Sequence, residues 1–325
     1  MLLKETMTIN GMTIKNRLVM APVASEKATL EGRVTDDHID FYGQLSSLGQ
    51  VGLFILEHSY VSAEGKASPR QISVADDESI SGLKRIVDII HDNGGKVILQ
   101  ISHAGSATNK EITGYDAIGP SAVANPRKGG MPNEMSISDI ETIVTKFADA
   151  ALRAKLAGFD GAEIHSAHGY FLNQFLSPLS NKRDDGYGGS LENRIKIHTD
   201  IIKAVRAKVG SDFALFLRIG ASDYEPSGTT IEDSIGASKI FEALGLDAID
   251  VSGGFCGYTG NGATGQGYFK ALTKPLKEAL SIPVMLTGGI TEVSSAEILL
   301  AEGFADLIGV ARALTRDHNW GSELK

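Results

Sequence analysis

Eight short apolar segments recur along the 325-residue chain, with a helical pattern between each pair. Their hydrophobicity is continuous rather than alternating, which is typical of parallel strands buried on both faces. Parallel neighbours separated by helices require right-handed βαβ connections, and eight such units close naturally into a barrel. The predicted strands are residues 18–21, 51–56, 96–101, 159–164, 213–219, 248–251, 283–287 and 306–310. We therefore predict an α/β fold, a (β/α)8 TIM barrel.

The helical segments between these strands carry recognisable end signals. Ser138-Asp-Ile-Glu141 has the form of a capping box that opens a helix to Ala157, with Gly158 just past its end. Asn10-Gly11, within residues 7–14, is a hairpin signature, and we expect this hairpin to close the bottom of the barrel. The other predicted helices are residues 35–48, 79–93, 190–209, 230–244, 267–280 and 294–301.

Length alone allows two average domains or one large barrel. No Pro- or Ser-rich linker divides the sequence, so we predict a single domain over residues 1–325. Hydrophobic residues make up 42% and charged residues 22%, as in an ordinary soluble protein with a sizeable core.

Charge and cysteine content narrow the choice of partners and compartment. The formal net charge is -9 and no Lys/Arg cluster stands out, which disfavours nucleic acid or an anionic membrane as a partner. Cys256 is the only cysteine, and the sequence shows neither a signal peptide nor a run of about 18 apolar residues. We expect a soluble cytoplasmic protein.

His165-Ser-Ala-His168-Gly-Tyr170 directly follows the fourth predicted strand, and a long polar, Gly-rich connection comes after it. Residues at the carboxyl ends of barrel strands are where such folds place their chemistry. Two imidazoles at this spacing could ligate a metal, contact a substrate or cofactor, or serve only the structure. A zinc site would need a third ligand, which Glu163 supplies only in part, so contact with substrate or cofactor is favoured.

The last quarter of the chain suggests a phosphate site. Gly288 and Gly289 follow strand seven and Ala311-Arg312 ends strand eight, the two loops that commonly bind phosphate in barrels. Gln100 and Arg218 end strands three and five on the same face. A buried arginine requires negative charge nearby; the partner is either an anionic or electron-rich ligand or a carboxylate such as Glu163 or Asp250. Two long connections, residues 105–135 and 253–267, lie on this face too.

These motifs closely resemble the Old Yellow Enzyme family of flavin-dependent oxidoreductases, especially its shorter bacterial ene-reductases. The strongest match runs from Glu163 to Arg194. Asn16-Arg17 with Ala21-Pro22, the segment 100–105 and the segment 218–223 match further family signatures.

The resemblance implies noncovalent FMN at the top of the barrel and NAD(P)H as electron donor. It places the phosphate on Gly288, Gly289, Ala311 and Arg312. Gln100 then contacts the pyrimidine edge and Arg218 lies near N1 and O2, where a cation stabilises reduced flavin. The remaining implied contacts are Ala21, Pro22, Val23, Ala24, His58, His165 and Gly253.

The same resemblance implies the reaction. His165 and His168 bind the carbonyl oxygen of an α,β-unsaturated substrate, the β-carbon accepts hydride, and Tyr170 gives a proton to the α-carbon. With one cysteine and no further sequence after Lys325, we expect no iron–sulfur cluster or nucleotide domain. NAD(P)H and substrate should therefore use the same site in turn, with ping-pong kinetics.

Three positions depart from the family pattern. Ala24 stands where many bacterial relatives have a cysteine, Glu26 where they have a tyrosine, and His58 where they often have a small residue. Flavin potential and substrate range depend on these positions. The resemblance further suggests a homo-oligomer, dimer or tetramer, although the tail around Trp320 does not clearly match the family segment that reaches into a neighbouring subunit. Trp320 packs either at an interface or on its own barrel.

Two other functions remain open from the residues. A diaphorase would pass electrons to quinones, nitro compounds or oxygen without alkene chemistry. A metal-dependent barrel hydrolase would use His165 and His168 as ligands and would purify colourless. The sequence carries no fingerprint for the physiological substrate or for NADH against NADPH.

Overall fold

A computed structural model describes residues 1–324. Eight parallel strands form a closed barrel, each hydrogen-bonded to the next along the chain and the last, β12, to the first, β3. The strands are β1 (Met7–Ile9), β2 (Met12–Ile14), β3 (Leu18–Met20), β4 (Leu53–Tyr60), β5 (Lys96–Ser102), β6 (Ile118–Gly119), β7 (Asn133–Glu134), β8 (Gly161–Ser166), β9 (Ala214–Gly220), β10 (Ala248–Ser252), β11 (Val284–Leu286) and β12 (Leu307–Val310). The predicted TIM barrel is confirmed.

Helices connect the barrel strands and cover the outside of the barrel. They are α1 (Asp36–Ser47), α2 (Ser79–Asp92), α3 (Lys110–Thr113), α4 (Ile137–Ala157), α5 (Phe171–Leu176), α6 (Leu191–Arg194), α7 (Lys196–Val209), α8 (Ile231–Ala243), α9 (Lys270–Ala279), α10 (Val293–Ala301) and α11 (Arg312–Arg316). No helix within residues 1–324 is long and apolar enough to span a bilayer.

The N-terminal hairpin closes the bottom of the barrel as predicted. Asn10 and Gly11 have φ of 45° and 78°, the left-handed pair that a two-residue hairpin turn needs. Ile9, Met12 and Ile14 are buried and join the cluster that fills the lower barrel interior. That cluster also contains Val19, Leu53, Ile55, Ile98, Ala214, Phe216, Ala248, Met285 and Leu307.

Local boundaries differ from the sequence prediction at several places. The capping box of α4 consists of Ser136 and Asp139, not Ser138 and Glu141, so the helix begins at Ile137. The segment 190–209, predicted as one helix, is α6 followed by α7, with Ile195 between them. The connection over residues 105–135 contains α3 and the small β6–β7 sheet.

Strand β4 extends four residues beyond the predicted 51–56 and contains a register shift. Leu56 pairs with Leu99 and Ser59 with Ile101, so Glu57 and His58 together lie opposite Gln100. One extra residue in one strand is a β-bulge, which redirects side chains and is frequent next to active sites.

Candidate active site

A cavity of about 560 Å³ lies at the carboxyl ends of the barrel strands. It brings together the three predicted catalytic residues and nearly all the predicted cofactor residues. Those that line it are Ala21, Pro22, Val23, Ala24, His58, Gln100, His165, His168, Tyr170, Arg218, Gly288, Gly289, Ala311 and Arg312. Gly253 does not line the cavity: its carbonyl accepts the amide of His168 at 3.0 Å, and atoms of Cys256 and Gly257 fill the space beside its Cα.

Sequence reasoning missed several lining residues. Tyr258 and Tyr268 come from the long connection after β10, and Arg316 lies one helical turn beyond Arg312. Ser252 is the last residue of β10, and Thr287 directly follows β11. The spacing of Arg312 and Arg316 at i and i+4 could have indicated that both arginines lie on one face of a helix. For the two tyrosines the sequence offered no signal beyond their glycine-rich connection.

A polar layer inside the barrel lies beneath the cavity, above the apolar cluster, and its Gln100 and Arg218 side chains reach the cavity. The Gln100 side-chain amide donates to Glu163 Oε1 at 2.7 Å, and Arg218 Nε lies 3.0 Å from Asp250 Oδ2. Both carboxyl groups are fully buried, and that burial raises their pKa values above the ordinary range. Arg218 therefore has the Asp250 partner that the sequence left as an alternative, and it also lines the cavity.

His165 and His168 stand side by side on one wall, with ring centroids 5.1 Å apart. The Nε2 atom of His168 lies 2.7 Å from the Ser252 hydroxyl, which leaves its Nδ1 for the cavity. Nδ1 of His165 is buried without a partner within residues 1–324. Burial, together with the positive charge of Arg218, lowers the pKa of both rings well below the ordinary value. Both imidazoles are thus neutral at neutral pH, and each carries one N–H.

The backbone at His168 is held in a strained conformation. Its φ is 61°, in the left-handed region that residues other than glycine rarely adopt, and the φ of Gly169, which follows, is 73°. Two contacts hold the turn: the Gly253 carbonyl on the His168 amide, and Arg127 Nη1 donating to the His168 carbonyl at 2.6 Å. Strain of this kind persists where surrounding contacts over-determine it, commonly at functional sites.

Tyr170 completes the wall. Its ring lies edge-on to His165 at 5.2 Å and is stacked on His58 at 5.6 Å. Burial raises the pKa of the phenol above its usual value, so the hydroxyl keeps its proton throughout the neutral range. A protonated phenol beside two neutral imidazoles forms a set of hydrogen-bond and proton donors with no anion among them.

The opposite end of the cavity is built for an anion. Gly288 and Gly289 have φ of 109° and 67°, and a Cβ on Gly288 would lie 2.7 Å from the Tyr268 ring. Only glycine fits at Gly288, and both glycines line the cavity with their backbone. Arg312 and Arg316 line the same end, and neither forms an ion pair within residues 1–324. No carboxylate of the described chain lines the cavity, although the whole protein is acidic.

A buried carboxylate anchors the loop that follows β3. Glu57 Oε2 accepts the Ser25 amide at 2.9 Å and Oε1 accepts the Tyr42 hydroxyl at 3.2 Å. Ser25 directly follows the lining residues Val23 and Ala24, so Glu57 fixes their position. Burial raises the pKa of Glu57 to about 7.

The two histidines are not supplied with a third metal ligand. Within residues 1–324 no group of three or more His, Cys, Asp or Glu side chains is arranged to hold a metal ion. The donor set around His165 and His168 consists instead of a serine hydroxyl, a tyrosine and arginines. The geometry therefore gives no support to the metal-dependent hydrolase.

The profile of the NADH:flavin oxidoreductase / NADH oxidase family matches residues 3–325. The chain belongs to this family, the Old Yellow Enzymes. An NADPH dehydrogenase from Geobacillus sp. (strain WCH70) is 41% identical over 96% of this chain and 90% of its own length. The family and this relative make the protein a flavin-dependent NAD(P)H oxidoreductase.

Solved structures of relatives share the fold. A 2-naphthoyl-CoA reductase in complex with 2-naphthoyl-CoA superposes with a TM-score of 0.91 at 27% identity, covering 97% of this chain and 51% of that one. An old yellow enzyme homologue from Zymomonas mobilis gives a TM-score of 0.84 at 26% identity, covering 96% of this chain and 89% of that one. This chain thus spans about half the length of the naphthoyl-CoA reductase.

The cavity fits the flavin that the family implies. A phosphate matches the glycine amides and the two arginines at one end. A heterocycle with polar edges matches the other end, where the Arg218 and Gln100 side chains face the cavity and His165 Nδ1 lacks a partner within residues 1–324. Unsatisfied buried polar atoms are costly, and a ligand that pairs with such atoms removes the cost.

The tail packs on its own barrel. Trp320 is 8% exposed, and its Nε1 donates to the Thr291 carbonyl at 2.7 Å. The Gln50 side-chain amide also donates to the His318 carbonyl at 2.7 Å. Of the two placements considered for Trp320, the one on its own chain is correct.

Proposed function

We propose that this protein is an FMN-dependent NAD(P)H ene-reductase acting on α,β-unsaturated carbonyl compounds. The observation that carries the proposal is the convergence of His165, His168 and Tyr170 on one cavity wall, with neighbouring ring centroids 5.1 and 5.2 Å apart. Two neutral N–H donors can stabilise the negative charge that develops on a carbonyl oxygen. A protonated phenol can act as the general acid that neutralises this charge by protonation.

Each residue has one role. His165 and His168 donate to the carbonyl oxygen, which draws electrons from the conjugated alkene and makes its β-carbon electrophilic. Tyr170 transfers its proton to the α-carbon as the enolate charge develops. The conjugated alkene thus gains one hydride and one proton, and the product is the saturated carbonyl compound.

FMN, when bound, supplies the two-electron hydride chemistry. Gly288, Gly289, Ala311, Arg312 and the additional Arg316 would bind its phosphate. Gln100 and Arg218 would bind its ring, and Arg218 would stabilise the negative charge of the reduced state. The loop Ala21–Ala24, which Glu57 anchors through Ser25, would pack against the ring edge, and the His58 backbone would border it.

NAD(P)H and the alkene would occupy one cavity in turn, which gives ping-pong kinetics. We further propose that residues 1–325 act as a single domain, because one closed barrel provides the core. A dimer or tetramer remains our expectation for the assembly.

The test follows both half-reactions on the FMN-loaded protein without oxygen. NADPH or NADH should bleach the flavin absorbance, and 2-cyclohexenone should restore it with formation of cyclohexanone. A protein that shows no flavin spectrum even after reconstitution with FMN contradicts the cofactor. A flavin that NAD(P)H reduces but no enone reoxidises contradicts the ene-reductase.

The variant Tyr170→Phe separates alkene reduction from diaphorase activity. Removal of a general acid lowers a rate by roughly 10²–10⁴-fold, so reoxidation by 2-cyclohexenone should slow by that factor. Reoxidation by a quinone requires no proton from Tyr170 and should keep its rate. Equal slowing with both acceptors would exclude the proton-donor role of Tyr170.

A further inference from the structure

His58 occupies the cavity wall next to the proposed catalytic residues. It follows Glu57 in the bulge of β4, and its ring is stacked on that of Tyr170, with ring centroids 5.6 Å apart and an angle of 26° between the ring planes. The ring also stands edge-on to His165 at 6.4 Å. His58 therefore faces the end of the cavity where the substrate is proposed to bind, not the end with Arg312.

The tautomer of His58 is set by Gln71, which is 2% exposed. Gln71 Oε1 accepts the Ala67 amide at 2.7 Å, and this contact identifies the other terminal atom as the nitrogen. Gln71 Nε2 donates to the His58 carbonyl and lies close to His58 Nδ1, both at 3.0 Å. An amide NH₂ has two hydrogens and accepts none, so Nδ1 must be the acceptor.

With Nδ1 as acceptor, a neutral His58 carries its hydrogen on Nε2. Burial lowers the pKa of His58 to about 4, which keeps the ring neutral at neutral pH. Nε2 has no hydrogen-bond partner among the described residues, and the side chain lines the cavity. Together with the two donors that the proposed function assigns to His165 and His168, the cavity wall then presents three imidazole N–H donors.

A carbonyl oxygen has two lone pairs. In the proposed function, on which this inference rests, His165 and His168 already donate to both lone pairs of the substrate carbonyl. A third donor then needs a second acceptor, because a buried donor left unpaired is unfavourable. A second carbonyl on the substrate, conjugated to the other end of the same alkene, would supply this acceptor.

We propose that His58 is a specificity-determining residue whose Nε2–H binds a second carbonyl, so that the His58 side chain itself raises the selectivity for enediones such as maleimides over simple enones. The chemistry is unchanged: one hydride goes to one alkene carbon and one proton to the other. A second hydrogen-bonded carbonyl withdraws further electron density from the same alkene and anchors the substrate at both ends.

The steady-state test compares N-methylmaleimide with 2-cyclopentenone on the FMN-loaded enzyme. His58→Phe keeps a ring against Tyr170 and removes the donor, whereas His58→Gln keeps an N–H donor. Loss of one hydrogen bond that leaves its partner unsatisfied changes affinity by roughly 10-fold. The ratio of kcat/KM for maleimide over enone should fall by about that factor in His58→Phe and recover in His58→Gln. A ratio that stays the same in both variants overturns the proposal.

Binding without reaction separates this proposal from the proposed function. N-methylsuccinimide and cyclopentanone are the saturated counterparts, and their dissociation constants are measured by ligand-detected NMR on the oxidised holoenzyme. His58→Phe should weaken succinimide binding selectively, whether or not any alkene is reduced. Equal weakening of both ligands would reduce His58 to a packing residue and overturn the inference.

A spectroscopic test addresses the tautomer itself. In ¹⁵N-histidine-labelled protein, long-range ¹H–¹⁵N correlations distinguish Nε2–H from Nδ1–H imidazoles, and the His58 signals are those absent from His58→Phe. We expect the Nε2–H pattern near neutral pH. An Nδ1–H pattern would overturn the donor assignment directly.

Discussion

The two halves of the barrel interior are built by the same strands but differ in chemistry. Below, Ile55, Ile98, Phe216 and Met285 form an apolar cluster that the N-terminal hairpin covers. Two residues further along β9 and β10, the interior changes to Arg218 and Asp250. Side chains two apart on a strand share a face, so each strand contributes first to stability and then to the site. Substitutions in the lower half should therefore change the free energy of unfolding, and substitutions in the upper half should change ligand affinity.

The largest effect is expected from Phe216→Ala in the lower half. Truncation of a buried phenylalanine costs about 3–5 kcal/mol, from lost contacts and a residual cavity. Urea unfolding of the apoprotein measures this loss. FMN affinity of the molecules that remain folded should change little; a large affinity change would show that the two halves are not separable.

Arg218→Met tests the upper half. It leaves Asp250 buried without its cation, and breaking a buried pair costs about 3 kcal/mol or more. The double variant Arg218→Met, Asp250→Asn removes the orphaned charge and should recover most of the stability while FMN affinity stays low. If stability does not recover, the ion pair is not the cause of the loss.

Arg312→Met should affect binding alone. A charge-assisted hydrogen bond contributes about 1.5–3 kcal/mol, so FMN should bind roughly 10–100-fold more weakly in a fluorescence titration of the apoprotein. Arg85→Met, which removes a surface arginine paired with Asp36, is the control for net charge. Comparable weakening in both variants would rule out a direct phosphate contact.

Glu57→Gln should change how stability depends on pH. The pKa of Glu57 is raised from 4.5 to about 7 in the folded protein, so folding favours the protonated form. The stabilisation it gives is fully present below pH 4.5 and is lost as pH rises through 7, by about 3 kcal/mol. Unfolding midpoints measured from pH 4.5 to 8 should fall less steeply in Glu57→Gln. A parallel decline would assign the pH dependence to other groups.

The smallest effect is expected from Gly11→Ala in the hairpin. No atom lies within 4 Å of the added Cβ, so the cost is that of a left-handed φ alone, about 1 kcal/mol. Gly11→Asn should lose less, because asparagine tolerates this conformation. Thermal unfolding measures both variants, and a loss above that of Phe216→Ala would give the hairpin a larger role than the barrel core.

The sequence predicted the barrel because continuous apolar runs and helix end signals are local features. It also predicted most of the cavity, since carboxyl ends of parallel strands meet on one face. Gly253, predicted to contact the cofactor, does not line the cavity, because family position alone does not show which way a loop turns. Tyr258 and Tyr268 were missed for the same reason. The Gln71–His58 contact joins residues 13 apart through a loop, and no periodicity reports it.

The bulge in β4 has a consequence for changes in the length of this strand. Glu57 and His58 both stand opposite Gln100, one as the anchor of the loop after β3 and the other in the cavity wall. A deletion of one residue here would restore regular pairing and leave room for a single side chain at that level. Substitutions can therefore alter the loop anchor or the third imidazole separately, whereas a change in strand length removes one of the two positions.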